Sequence, residues 1–112
     1  MPTDEHSIQK AIITYLRTQL KGRALVFHPM NNPRNAIQGR RMKGQGMMAG
    51  VADICIVTKG SVAAFMEVKK ERGKLSKVQQ SFRDDCEALD IDYAVVRSVD
   101  DARETLEDWG LI

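Results

Sequence analysis

The feature that most constrains this chain is a pair of apolar, β-branched runs, residues 51–58 and 62–68, separated only by Lys59-Gly60-Ser61. Two such runs across so short a turn read as an antiparallel β-hairpin. Side chains alternate along a strand, so Glu67 and Lys69 face one side of it while Met66 and Val68 face the other. A three-residue loop at 59–61 sets position 53 opposite position 67, and Asp53 then joins the acid and the base. A two-residue loop would set Asp53 against Met66, on the wrong side of the sheet unless a bulge intervened.

The flanking segments supply layers for that hairpin. Thr3 or Asp4 can cap a first helix in which Ile8, Ile12, Tyr15, Leu16 and Leu20 recur at helical spacing, with Gly22 ending it. Residues 24–27 read as a buried strand, after which Pro29, Asn31, Asn32 and Pro33 break regular structure. Residues 34–46 carry Arg34, Arg40, Arg41 and Lys43 among glycines and no acid, which reads as a mobile basic loop with room for a short helix. Ser76 and Gln79 form an S-x-x-Q capping box ahead of a second long helix with Val78, Phe82, Cys86 and Leu89 on one face. Residues 93–96 form another strand, and residues 100–109 an acidic helix with Ala102, Leu106 and Trp109 inward. The predicted fold class is α/β: a central sheet of about four strands with helices on both faces.

At 112 residues the chain suits one compact domain, 1–112, and is too short for two. No window is apolar for long enough to span a membrane and the start is acidic and polar, so a cytoplasmic, intracellular protein is expected. Cys55 and Cys86 lack any zinc-like spacing and read as buried free thiols. The formal net charge of +2 conceals an asymmetry. Residues 1–83 hold 15 Lys or Arg and 5 Asp or Glu, whereas residues 84–112 hold 2 and 10. A basic portion of this kind favours a polyanion such as nucleic acid as partner.

Two carboxylates roughly 5 Å apart repel by about 3 kcal/mol at an effective dielectric of about 20, and Lys69 compensates only in part. A divalent ion held by Asp53 and Glu67 removes the conflict, and all-oxygen ligation favours Mg²⁺ or Mn²⁺. Such an ion polarises a phosphate and acidifies water, with Lys69 placed to hold that water or the phosphate.

The spacing Asp-x13-Glu-x-Lys resembles the signature of the PD-(D/E)xK nuclease superfamily. More narrowly, Gly50-Val51-Ala52-Asp53, then Phe65-Met66-Glu67-Val68-Lys69, then Gly73-Lys74-Leu75-Ser76-Lys77-Val78-Gln79 resembles the virus-type replication-repair nuclease (VRR-NUC) domain over nearly the whole chain. Glu5 and Gln9 are similar to that family's N-terminal Glu helix, and residues 93–98 fit its closing strand. The departure is Ala52, where the family usually has Pro; that residue shapes the strand entry and contributes no ligand. The resemblance implies a restriction-endonuclease-like core and a metal-dependent DNA endonuclease of phage or bacterial type, often acting on branched or structured DNA and often as a homodimer. It further implies Glu5 and the Val68 backbone carbonyl as additional metal ligands, and Gln79 beside the catalytic Asp53, Glu67 and Lys69.

Each residue also has a plainer role. Glu67 and Lys69 could discourage aggregation at a solvated strand face, Glu5 could serve its helix N-terminus, and Gln79 could be a cap alone. Gln9 and His28 read as surface residues, and His28 is left out of the catalytic set. Arg34, Arg40, Arg41, Lys43, Lys70, Lys74 and Lys77, with Arg72, are either a solvated face or contacts to DNA phosphates. Met42, Met47 and Met48 are expected to fill an irregular core or a dimer contact. The competing function is a non-catalytic nucleic-acid-binding module whose acids only balance charge.

Overall fold

The computed structural model describes residues 4–30 and 33–112. Among them the order is α1 (Glu5–Gln19), β1 (Ala24–Phe27), α2 (Ala36–Gly44), β2 (Ile54–Thr58), β3 (Val62–Val68), α3 (Lys77–Ala88), β4 (Asp92–Val96) and α4 (Val99–Asp108). The strands form one mixed sheet in the order β1-β2-β3-β4. β1–β2 and β2–β3 are antiparallel, while β3 and β4 are parallel. A parallel neighbour needs a crossover, and α3 is that crossover.

Asp4 caps α1 by accepting from the Ser7 amide at 2.8 Å, a bond that holds its carboxyl below the usual range. Thr3, the other candidate cap, lies outside the described residues, as do Asn31 and Asn32. Ile8, Ile12 and Leu16 then place one buried side chain per turn against the sheet, and Leu20 follows. Even-numbered residues of the hairpin (Ile54, Ile56, Ala64, Met66, Val68) meet that stripe together with Ala102 and Leu106 of α4. The opposite face carries a smaller cluster of Ala52, Phe82 and Cys86, with Phe65 and Tyr93 packed around it. A large aliphatic side chain contributes about 2 kcal/mol when buried, so the α1/α4 face supplies most of the burial energy. The α3 face is thereby free to carry polar groups.

The hairpin register is the one a three-residue loop dictates. Thr58 pairs with Val62 and Ile54 with Met66, so the same register continued by one residue sets Asp53 opposite Glu67. Gly60 and Ser61 take left-handed backbone conformations to close the turn. β2 nevertheless begins at Ile54 and not at residue 51. The Val68 N–H that would continue the ladder to Ala52 donates instead to Asp53 Oδ2 at 2.9 Å, which ends backbone pairing there.

Other expectations are refined. Most of the basic segment, read as a loop with room for a short helix, is helix α2, capped by Asn35 through the Gln38 amide at 2.8 Å, although it buries no residue. Val78 and Leu89 are exposed, and the buried side of α3 is Phe82 and Cys86 alone. Met42 and Met47 are half-buried and Met48 is exposed, which sets aside the core reading and leaves the dimer contact as the other expectation for them. Cys55 and Cys86 are buried and free as expected, and burial pushes both thiols up. No helix among the described residues is long and apolar enough to cross a membrane.

Gly50 joins the two halves of the α3 face. Its φ is +80°, and a Cβ there would stand 2.1 Å from the Val78 carbonyl oxygen in the first turn of α3. Gly50→Ala combines that backbone clash with left-handed strain, and is expected to destabilise the fold by about 3 kcal/mol. Urea unfolding of wild type and variant checks it; an unchanged midpoint would contradict the packing described.

Candidate active site

The carboxylates of Asp53 and Glu67 meet on the α3 side of the sheet, at the ends of β2 and β3 that run under the start of α3. Glu67 is 2% exposed, a rare state for a glutamate. Its Oε2 accepts from Gln79 Nε2 at 3.3 Å and lies 3.9 Å from Lys69 Nζ. Its Oε1 is buried and has no hydrogen-bond partner among the described residues. Burial, and then the Asp53 carboxyl beside it, push Glu67 up to about 9; Lys69 pulls it down and Glu5 adds to the rise. The long contact to Lys69 does not offset burial, so the neutral form of Glu67 is favoured near neutral pH.

Lys69 continues the β3–β4 pairing beyond β3, its amide donating to the Val96 carbonyl at 3.1 Å, and its side chain is largely buried beside Glu67. Since backbone direction alternates along a strand, the Val68 carbonyl points to the β2 edge, toward Asp53, as its N–H does. Glu5, in the first turn of α1, comes to the same end of the sheet from the other face. A Cβ at Gly73 would lie 3.5 Å from both Glu5 Oε2 and Lys69 Cβ. No group of three or more His, Cys, Asp or Glu side chains among the described residues is arranged to hold a metal ion. The convergent set is therefore two carboxylates and a backbone edge, with Glu5 felt through its charge.

Gln79 fills both roles foreseen for it. Ser76 Oγ accepts from the Gln79 amide at 3.3 Å, Gln79 Oε1 accepts from the Ser76 amide at 2.9 Å, and the remaining Nε2 reaches Glu67. One side chain thus ties the α3 cap to the acid pair. Ala52, at the family's proline position, is buried against Phe82 and Cys86. Arg34, Arg40, Arg41, Lys43, Lys70, Lys74 and Lys77 are all exposed. Lys70 and Lys74 lie on the segment joining Lys69 to α3, and Lys77 is the first residue of α3. Arg34 and Arg41 line a hollow of about 310 Å³ on α2, apart from the acid pair.

Three residues at the site were not singled out by pattern. His28 Nδ1 lies 2.6 Å from the Asp53 carbonyl oxygen and 3.2 Å from the Gln9 amide. Arg97 Nη1 donates to the carbonyls of Lys70 and Gly73, each at 2.8 Å, and so clamps the loop after Lys69. Tyr93 presents a buried hydroxyl without a partner among the described residues, raised far above the usual phenol range by burial and then by Glu67. For His28 a signal existed in the His-Pro pair at a strand end. For Arg97 and Tyr93 only the parallel β3–β4 pairing, invisible in local pattern, brings them here.

No curated protein matches the sequence. Among solved structures, a chain described as a VRR_NUC domain superposes with a TM-score of 0.65 at 21% identity, covering 96% of this chain and 99% of that one, which establishes likeness of fold. The family model of the VRR-NUC domain matches residues 5–100, the span from Glu5 through α1, the hairpin, α3 and β4. The chain belongs to the VRR-NUC family of nuclease domains.

Proposed function

We propose that this protein is a Mg²⁺- or Mn²⁺-dependent DNA endonuclease that hydrolyses phosphodiester bonds in branched or structured DNA, acting as a homodimer. The observation that carries the reading is buried Glu67 beside half-buried Asp53, with Glu67 Oε1 unpartnered among the described residues. Such a pair fits a hard divalent cation, because oxygen donors of like charge gain most from one. Asp53, Glu67 and the Val68 carbonyl would hold it, with Glu5 as a direct or water-mediated ligand. When bound, the ion supplies polarisation of the phosphate and acidification of water.

The chain's own residues do the rest. Gln79 fixes Glu67 Oε2 and leaves Oε1 for the cation. Lys69, buried on the same strand face, orients the attacking water or the scissile phosphate. Lys70, Lys74 and Lys77 follow it in position to hold flanking phosphates, and Arg34, Arg40, Arg41 and Lys43 add a second basic grip through α2. The preference for branched DNA rests on the family, and two copies would give such a substrate two sites.

Incubation of the protein with labelled four-way-junction and duplex DNA in Mn²⁺ tests the reading. Lys69→Ala and Asp53→Asn are expected to lower cleavage by about 100-fold or more while salt-sensitive binding persists. Equal cleavage by Lys69→Ala and wild type would overturn the assignment, and binding without cleavage by wild type would favour a binding module.

The raised Glu67 also makes a stability prediction for the metal-free protein. Its folded value, about 9, lies above the ordinary 4.5. Between those values the folded state keeps a proton that the unfolded state has lost, so stability falls as pH rises through that window. The contribution is complete below the lower value and absent above the higher. In chelator, the melting temperature of wild type relative to Glu67→Gln is expected to drop between about pH 5 and about pH 8.5; a constant difference would contradict a proton kept on Glu67.

A further inference from the structure

The peptide of Asp53 lies one residue outside β2, so no rung of the sheet fixes it. Two other bonds take that part. On the β3 side the Val68 N–H reaches its carboxylate at 2.9 Å. On the β1 side the His28 ring reaches its carbonyl at 2.6 Å, and since a carbonyl only accepts, the proton is on Nδ1. His28 stands one residue past β1, and the following Pro29 favours an extended backbone there. Continued alternation turns the ring to the side of buried Val26, where α1 packs. On α1, one turn after Glu5, the Gln9 side-chain amide lies 3.2 Å from the same Nδ1.

We infer that His28 is a positioning residue: its ring acts as a side-chain rung that fixes the Asp53 peptide from the β1 side and aims the Asp53 carboxylate at Glu67. The inference rests on the proposed metal site. His28 itself touches neither the cation nor DNA. Its effect lies in preorganisation: without the bond, the Asp53 backbone is held on one side only, and the acid pair must be ordered when the cation binds. Partners that orient metal ligands in this way change affinity by about 10- to 100-fold.

The full chain is titrated with Mn²⁺ alone, and the free ion is counted by its electron paramagnetic resonance signal. His28→Leu is expected to bind about tenfold more weakly than wild type, with little change in the unfolding midpoint of the metal-free protein, because the ring is exposed and leaves no buried cavity. His28→Asn places an amide N–H near the position of Nδ1–H and is expected to restore most of the affinity. His28→Gln, whose amide extends to the Nε2 position, is expected to remain weak. Binding by His28→Leu equal to wild type would overturn the inference, as would equal binding by the Asn and Gln variants should the Leu variant fail to fold. If wild type binds Mn²⁺ no better than Asp53→Asn, the metal site itself fails and the role of His28 with it.

Discussion

A glutamate buried beside a second, half-buried carboxylate is the constraint on which this structure turns. Burial alone disfavours the charge on Glu67, and the neighbouring Asp53 disfavours it further. Lys69 stands too far, at 3.9 Å, to reverse that balance. A proton kept on Glu67 is the resolution available to the protein's own atoms, and a divalent cation in its place is the resolution that the proposed function requires. The same tension therefore serves as a structural liability in the metal-free protein and as binding capacity in the loaded one.

The rest of the fold makes that tension tolerable. The α1/α4 side of the sheet holds nearly all the large buried aliphatic residues, so the α3 side does not depend on apolar packing around the acids. Separate devices hold the site's parts. Gly50 lets the lead-in to Asp53 pass beneath the first turn of α3, Gln79 ties that turn to Glu67, and Arg97 clamps the loop that follows Lys69. Each joins the end of one element to another element. The site is thus assembled where β2, β3 and α3 meet, at a point that no single element controls.

Much of this was legible in the chain because it depends on short-range periodicity. The Lys59-Gly60-Ser61 loop fixes the pairing of Thr58 with Val62, and alternation from there places Asp53 and Glu67 on one face. The Ser76–Gln79 box announces α3 by its own hydrogen bonds. What pattern missed depends on long-range geometry or on exchange of one partner for another. β2 stops short at Ile54 because a side chain takes the Val68 amide from the backbone, a substitution that apolar content does not encode. His28, set aside as a surface residue, matters through a carbonyl 25 positions away. Val78 and Leu89 fit the helical stripe and yet are exposed, since periodicity gives direction and not the extent of the surface opposite.

Under the proposed function a cation displaces the proton that burial keeps on Glu67. Titration calorimetry of Mn²⁺ binding near neutral pH, repeated in buffers of different ionisation enthalpy, counts protons released per ion. The account predicts release of about one proton by wild type and close to none by Glu67→Gln. Binding by wild type with no proton released would show that the pair is already ionised, and would contradict it.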